Sequence, residues 1–178
     1  MVDVYINGFG SFLPNAPIEN KEMEDYLGLI KGQKSRHRAI VLRQNRIQTR
    51  YYALNKQGQA QFSSADMAAY AIQNAVSHSE MMLSDLSYLA SSSTLGDILV
   101  PGLASHIHAA LDLGPIEIAN FQSVCGSSLM AIKSAYLQIK AGEHNNAVAT
   151  GCEFASRYFR PGFYEAYMTA QDLEHLPL

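Results

Sequence analysis

PIEIANFQSVCGSSLMAIKSAYLQIKAGEHNNAVATG, residues 115–151, is the stretch whose reading decides the fold. Pro115 to Ala119 is a short apolar run rich in strand formers, and Asn120 to Gly126 is polar and bend-prone. From Ser127 onward Leu129, Met130, Ile132, Ala135, Tyr136 and Ile139 recur at three- and four-residue intervals, the period of a helix packed on a sheet. Gly142 stops that helix, and Asn146 to Thr150 reads as the next strand. The unit is strand, sharp turn, helix, strand, the building block of an α/β fold. Cys125 stands at the turn, one residue before Gly126 and at the mouth of the helix. A helix N-terminus carries roughly half a positive charge and free N–H groups, so it favours thiolate over thiol and can hold an oxyanion formed beside it. The position suits a nucleophile, and equally a buried small hydrophobe, which most lone cysteines are.

Composition bounds the rest. The 178 residues, 48% of them hydrophobic, suffice for one globular domain with a substantial core. A net charge of -3 gives the whole molecule no bias towards nucleic acid or membranes. The two cysteines, Cys125 and Cys152, form no disulfide framework and suit a reducing cytoplasm. No apolar run approaches the ~18 residues of a membrane span, and MVDVYINGFG lacks the basic and apolar regions of a signal peptide. A soluble cytoplasmic protein is the expectation.

Upstream, Met1 to Ser11 alternates Val2, Val4 and Ile6 with polar residues and reads as a strand entering a Gly8/Gly10 turn. Glu19 to Ile30 reads as a short helix capped by Asn20 and ended by Gly28 and Gly32. Lys31 to Arg50 holds seven of the chain's thirteen basic residues and no acidic one. It is either a solvated basic loop or a docking surface for an acidic partner or a phosphate. Ser64 to Ser77 is an amphipathic helix with Ser64 as its cap, and Leu86 to Thr94 is a strand ending in small polar residues. Leu95 to Pro101 is a loop and Gly102 to Leu111 a helix. His106 and His108, two apart on that helix, point about 200° apart and cannot share a metal, so no metal site is expected. The aromatic-rich tail, Phe154 to Leu178, has little periodicity, with a short helix expected over Tyr164 to Leu173.

SVCGSSLMAIKSAYLQIKAGEHNNAVATGCE resembles the nucleophile segment of thiolase-fold condensing enzymes, most closely the β-ketoacyl-acyl carrier protein synthase III type. The shared features are a Cys followed by small residues, a helix, a Gly-ended turn and a strand closing in Gly151, Cys152 and Glu153. VYINGFGSFLP resembles the family's first strand and turn, RIQTRYYAL its G-I-x-x-R segment, and SSSTLGDILVPGLASHIHAALDLG its strand, active-site loop and helix. MEDYLGLI and RAIVLRQNRIQTRYYAL are similar to the branch that joins two acyl chains into cyclohexanedione or dialkylresorcinol precursors, which suits long or aryl acyl groups.

The resemblance implies a thiolase-like α/β fold, the N-terminal half of a two-half enzyme, with a mixed five-stranded type of sheet and flanking helices. It implies a Cys125 acyl-enzyme and decarboxylative carbon–carbon bond formation in fatty acid or polyketide-like biosynthesis. Arg43, with Arg46 behind it, would contact the nucleotide or phosphopantetheine end of the thioester donor, and the surrounding basic surface would receive an acidic acyl carrier protein. Thr94 and the segment from Ile98 to Pro101 would lie near the acyl pocket, with Leu99 or Val100 reaching across a two-fold dimer interface. Phe154 and Ala155 would line the substrate site where the capping loop begins. No separate cofactor is expected, the substrate arriving as a phosphopantetheine thioester.

The chain departs from the pattern in two places: it has no Trp to stack on adenine, and Arg46 replaces the Gly of the G-I-x-x-R segment. Both favour a carrier-protein donor over coenzyme A. The family's Gly-rich last strand of this half, and the half bearing its catalytic His and Asn, have no counterpart in the sequence. The chain is therefore expected to be a fragment or a half-enzyme that pairs with a complementing chain, inactive alone. The alternatives are a coenzyme A-dependent thiolase or chalcone-synthase-like enzyme of the same fold, and a non-catalytic ketosynthase partner. Such partners usually lose the cysteine that this chain keeps.

Overall fold

The computed structural model describes residues 2–35 and 37–162. In chain order these form β1 (Ile18–Glu19), α1 (Met23–Leu27), α2 (Arg38–Asn45), β2 (Thr49–Arg50), α3 (Ser64–Ser77), β3 (Tyr88–Ser93), α4 (Leu103–Ala110), β4 (Glu117–Gln122), α5 (Ser127–Ala141), β5 (Ala147–Gly151) and α6 (Ala155–Tyr158). The described residues fall into two units, one of residues 2–13 and 62–153, the other of the described residues within 14–61 and 154–162.

The first unit is a parallel sheet in the order β4-β3-β5. β3 lies in the middle and is buried along its whole length. Because strand side chains alternate between faces, its residues serve two cores. Leu89 meets Ala68, Ile72, Ala104 and Ile107 of α3 and α4 on one face, and Tyr88 and Ala90 meet Ala131 and Ala135 of α5 on the other. The α/β class and the β4-turn-α5-β5 unit stand as the sequence implies, while among the described residues this sheet has three parallel strands where the resemblance implies a mixed five-stranded type. β4, however, runs on to Gln122, because Asn120 and Gln122 pair in register with Ser91 and Ser93. The ladder overrides the polar character of Asn120 to Gln122.

Three expectations are corrected. The large members of the periodic stripe of α5 do not face the sheet: Ala135 is buried with Ser127 and Ala131, while Leu129, Met130, Ile132 and Tyr136 of the stripe, with Leu137, are exposed. Small side chains at i, i+4 and i+8 let the helix backbone settle close to the strands, and the large residues are turned outward. Secondly, the N-terminal residues 2–13 are not a strand. A strand exists only against a partner's N–H and C=O groups, and this segment instead crosses α3, where a Cβ at Gly10 would stand 2.2 Å from the Ala75 amide nitrogen. Thirdly, Ser63 rather than Ser64 caps α3, in a capping box with Asp66.

The second unit carries the antiparallel pair β1–β2. The expected helix over Glu19 to Ile30 shrinks to α1, and Asn20 is not its cap. The Asn20 amide donates to the Ile47 carbonyl at 2.9 Å and its side-chain oxygen accepts from Arg50, so it ties the ends of the basic segment together. Part of that segment is helical: Arg38, Ala39, Leu42, Arg43 and Gln44 are good helix formers, and α2 ends at Arg46 in the left-handed conformation, φ 57°. The short helix expected over Tyr164 to Leu173 lies outside the described residues. No helix of the described residues is long and apolar enough to cross a membrane.

Candidate active site

Parallel α/β sheets bind ligands beyond the carboxyl ends of their strands, and in the first unit that end gathers Thr94, Gln122, Cys125 and Glu153. The Thr94 amide donates to Glu153 Oε1 at 2.5 Å, and Gln122 Nε2 donates to the Thr94 carbonyl at 3.4 Å. The end of β3 is thereby tied to both of its neighbours. Cys125 follows Gln122 by three residues, is solvent-exposed and unpaired, and precedes Gly126, the N-cap of α5. Gly126 offers no side-chain cap, and the first turn of α5 carries no acidic residue, so no carboxylate of the helix itself offsets its positive end. The buried-hydrophobe reading of Cys125 fails on its exposure.

That description fits the other cysteine. Cys152 packs against the α3–α4 core, and burial, reinforced by the carboxylates of Asp97 and Glu153, pushes its thiol up to about 12. It stays protonated at neutral pH and is inert as a nucleophile.

The loop between β3 and α4 is anchored from within. Asp97 accepts from the Ser64 amide at 2.8 Å, the Ser64 hydroxyl at 3.0 Å and the Ala65 amide at 3.4 Å. Asn120 Oδ1 accepts from the Ser91 hydroxyl at 2.9 Å and the Ala104 amide at 2.7 Å, fastening the start of α4 to the sheet. Beyond Asp97, Leu99 and Val100 are 84% and 78% exposed and precede a cis Val100–Pro101 bond. Asp97 and Asn120 escape a reading of the sequence because each acts on a segment distant along the chain.

The remaining predicted residues lie in the second unit. Arg43 and Arg46 line a cavity of about 650 Å³ together with Lys21 and Arg38. Phe154 is buried, with the Arg157 guanidinium 4.9 Å from its ring centre, and Ala155 opens α6. His108 Nε2 meets the Gly114 carbonyl at 2.9 Å. Among the described residues no group of three His, Cys, Asp or Glu could hold a metal ion.

The first unit is thus a three-layer parallel α/β unit with an exposed cysteine between a strand end and a helix start. The family model described as thiolase, N-terminal domain, matches residues 46–161, and the chain belongs to that family. Among curated proteins it is similar to the β-ketoacyl-acyl-carrier-protein synthase III of Hyphomonas neptunium, 25% identical over 153 residues, 86% of this chain and 44% of the relative. The synthase III of Cereibacter sphaeroides is 25% identical over 152 residues, 85% of this chain and 43% of that protein. Among solved structures, the tetronic acid condensing enzyme AbyA1 superposes with a TM-score of 0.74 at 19% identity, covering 96% of this chain and 47% of that one. The synthase III of Thermus thermophilus gives 0.69 at 19% identity, covering 86% and 44%. The chain thus spans a little under half the length of the curated relatives it matches.

Proposed function

We propose that this chain is the nucleophile-bearing half of a β-ketoacyl synthase III-type condensing enzyme, working in the cytoplasm on fatty or polyketide-like acyl chains. One observation carries the proposal: Cys125 is exposed at the carboxyl end of the sheet, where β4 hands over to α5. The Cys125 thiolate attacks an acyl thioester carbonyl, the oxyanion is held by backbone N–H groups at the start of α5, and the carrier thiolate leaves. Decarboxylation of a malonyl-carrier thioester, or removal of a C2 proton from a β-ketoacyl one, then gives an enolate that attacks the acyl-cysteine. A carbon–carbon bond forms, the Cys125 thiolate leaves, and carbon dioxide is released where the donor is malonyl.

Arg43 and Arg46 are assigned to the phosphopantetheine arm and the acidic carrier protein, since their cavity is lined by four basic residues and no acidic one. Thr94, Leu99 and Val100 are assigned to the acyl pocket and a two-fold contact, and Phe154 and Ala155 to the substrate site. The complementing half, which supplies His and Asn, is assigned to the outer face of α5, whose large apolar residues are 45–69% exposed. The acyl group arrives on its phosphopantetheine, without a further cofactor.

Mass spectrometry tests the assignment. The chain, joined or mixed with a synthase III C-terminal half, is incubated with an acyl-carrier protein, and an acyl adduct is expected on Cys125. Absence of the adduct, or its survival in Cys125→Ala, refutes the proposal. Acylation from coenzyme A but not from carrier protein transfers the assignment to the thiolase or polyketide synthase alternative.

A further inference from the structure

The first turn of α4 takes its cap from the sheet. Its N-cap, Gly102, has no side chain to offer the free amides of the helix start. The Ala104 amide donates instead to Asn120 Oδ1 of β4 at 2.7 Å, and the same oxygen accepts from the Ser91 hydroxyl of β3 at 2.9 Å. Ser91 and Ala104 are 1% and 0% exposed, so neither donor has water to turn to. Gly102 itself has φ -69°, open to any residue, so this glycine serves space rather than conformational freedom. A Cβ there would stand 2.5 Å from Asn120 Nδ2. Gly102 and Asn120 are fitted to each other.

An apolar trio of the same shape would hold the layers together about as well, because replacing both partners of a buried hydrogen bond by apolar groups is nearly neutral. What the polar trio adds is position, since each donor meets the shared oxygen in one register only. The strand that supplies the oxygen leads, five residues after Asn120, to Cys125. The helix it caps ends the β3–α4 loop. Asp97 ties the first part of that loop to the Ser64 amide, Ala104 ties its far end to β4, and Ile98, Leu99 and Val100 between the two anchors are exposed. We propose, on the reading of that loop as part of the acyl pocket, that Asn120 is a positioning residue for thioester binding. Acting through the first turn of α4, it sets where residues 98–101 stand relative to the Cys125 turn.

The experiment follows acylation of Cys125 by mass spectrometry against the concentration of octanoyl-carrier protein, with the chain joined to a synthase III C-terminal half. Asn120→Leu keeps the shape and loses the oxygen, and Gly102→Ala pushes the Asn120 amide away. Each should raise the half-saturating concentration roughly fivefold to a hundredfold, the range for buried donors left unsatisfied, while iodoacetamide alkylates Cys125 at the parent's rate. Asn120→Asp keeps an accepting oxygen at a helix start and should hold the parent's half-saturation. Asn120→Ala makes room for a Cβ at position 102, so Gly102→Ala should add little to it, a coupling that a general loss of stability does not produce. Should Asn120→Leu unfold the chain by circular dichroism, Gly102→Ala must raise the half-saturating concentration on its own. With the parent acylated, an unchanged half-saturation in Gly102→Ala, weakened binding in Asn120→Asp, full additivity in the double variant or a parallel loss of alkylation rate overturns the proposal and leaves the acyl-enzyme reading in place. No adduct on the parent overturns that reading and the proposal with it.

Discussion

Replacing Ala131 by Leu puts an isobutyl group where a methyl is fully buried between α5 and the sheet, against Tyr88, Ala90 and Ala135. Nothing there can move cheaply: Tyr88 is itself buried, and its hydroxyl is held by Ser134 at 2.6 Å. Overpacking of this kind costs about 1–3 kcal/mol, roughly 2–12 °C of melting temperature for a chain of this size. Leu129→Ser, two residues away on the same helix, is the counter-experiment. Leu129 is 69% exposed, so less than a third of the ~1.5–3 kcal/mol available from a buried leucine is at stake, about 0.5–1 kcal/mol. Urea titration of the isolated chain should therefore rank Ala131→Leu as the more damaging. The order inverts for assembly with a C-terminal half, where Leu129→Ser should lose affinity. If Leu129→Ser is the more damaging in the isolated chain, the orientation of α5 derived above is refuted.

Other predictions follow from single contacts. At pH 8 iodoacetamide should alkylate Cys125 and spare Cys152 in the folded chain, read by peptide mass; labelling of both at equal rates contradicts the buried placement of Cys152. Because the folded Cys152 thiol lies above its ordinary value of 9, the stability tied to it is present below about pH 9 and lost as pH rises towards about 12. A Cys152→Ala chain should show a shallower alkaline decline in urea midpoint. Arg46→Gly relieves a left-handed residue and should stabilise the second unit by about 1 kcal/mol while weakening carrier-protein affinity, two readouts of opposite sign. Asp97→Ala strips acceptors from the buried Ser64 hydroxyl and the first turn of α3, and should cost about 2–4 kcal/mol; an unchanged urea midpoint would show that the loop is anchored by other contacts.

What the sequence made legible is whatever local chemistry controls. Gly142 ends α5 in the left-handed conformation, Ser127 begins it, and the cysteine-centred motif locates the strand–helix turn before any coordinate is known. Orientation was not legible. Periodicity in α5 picks out one apolar stripe, from Leu129 to Ile139, but the face that meets the sheet is the small-residue one of Ser127, Ala131 and Ala135, because that choice depends on how closely the strands lie. The N-terminal segment has the alternation of a strand, yet strand identity belongs to a pair, and Gly8 and Gly10 place it across α3. Asp97 and Asn120 lie beyond local reasoning for the same cause: their partners are 33 and 29 residues away in the first hydrogen bond of each.

The middle position of β3 has a consequence for synthesis. The ribosome delivers this strand first, with both hydrogen-bonding borders open, then β4 on one flank, and only after α5 has crossed overhead does β5 close the other. For the interval between Ser93 and Gly151 a nascent chain presents a strand with an unoccupied border, the state in which growing polypeptides capture one another. Slower passage through that interval lengthens the time for which the border stands open.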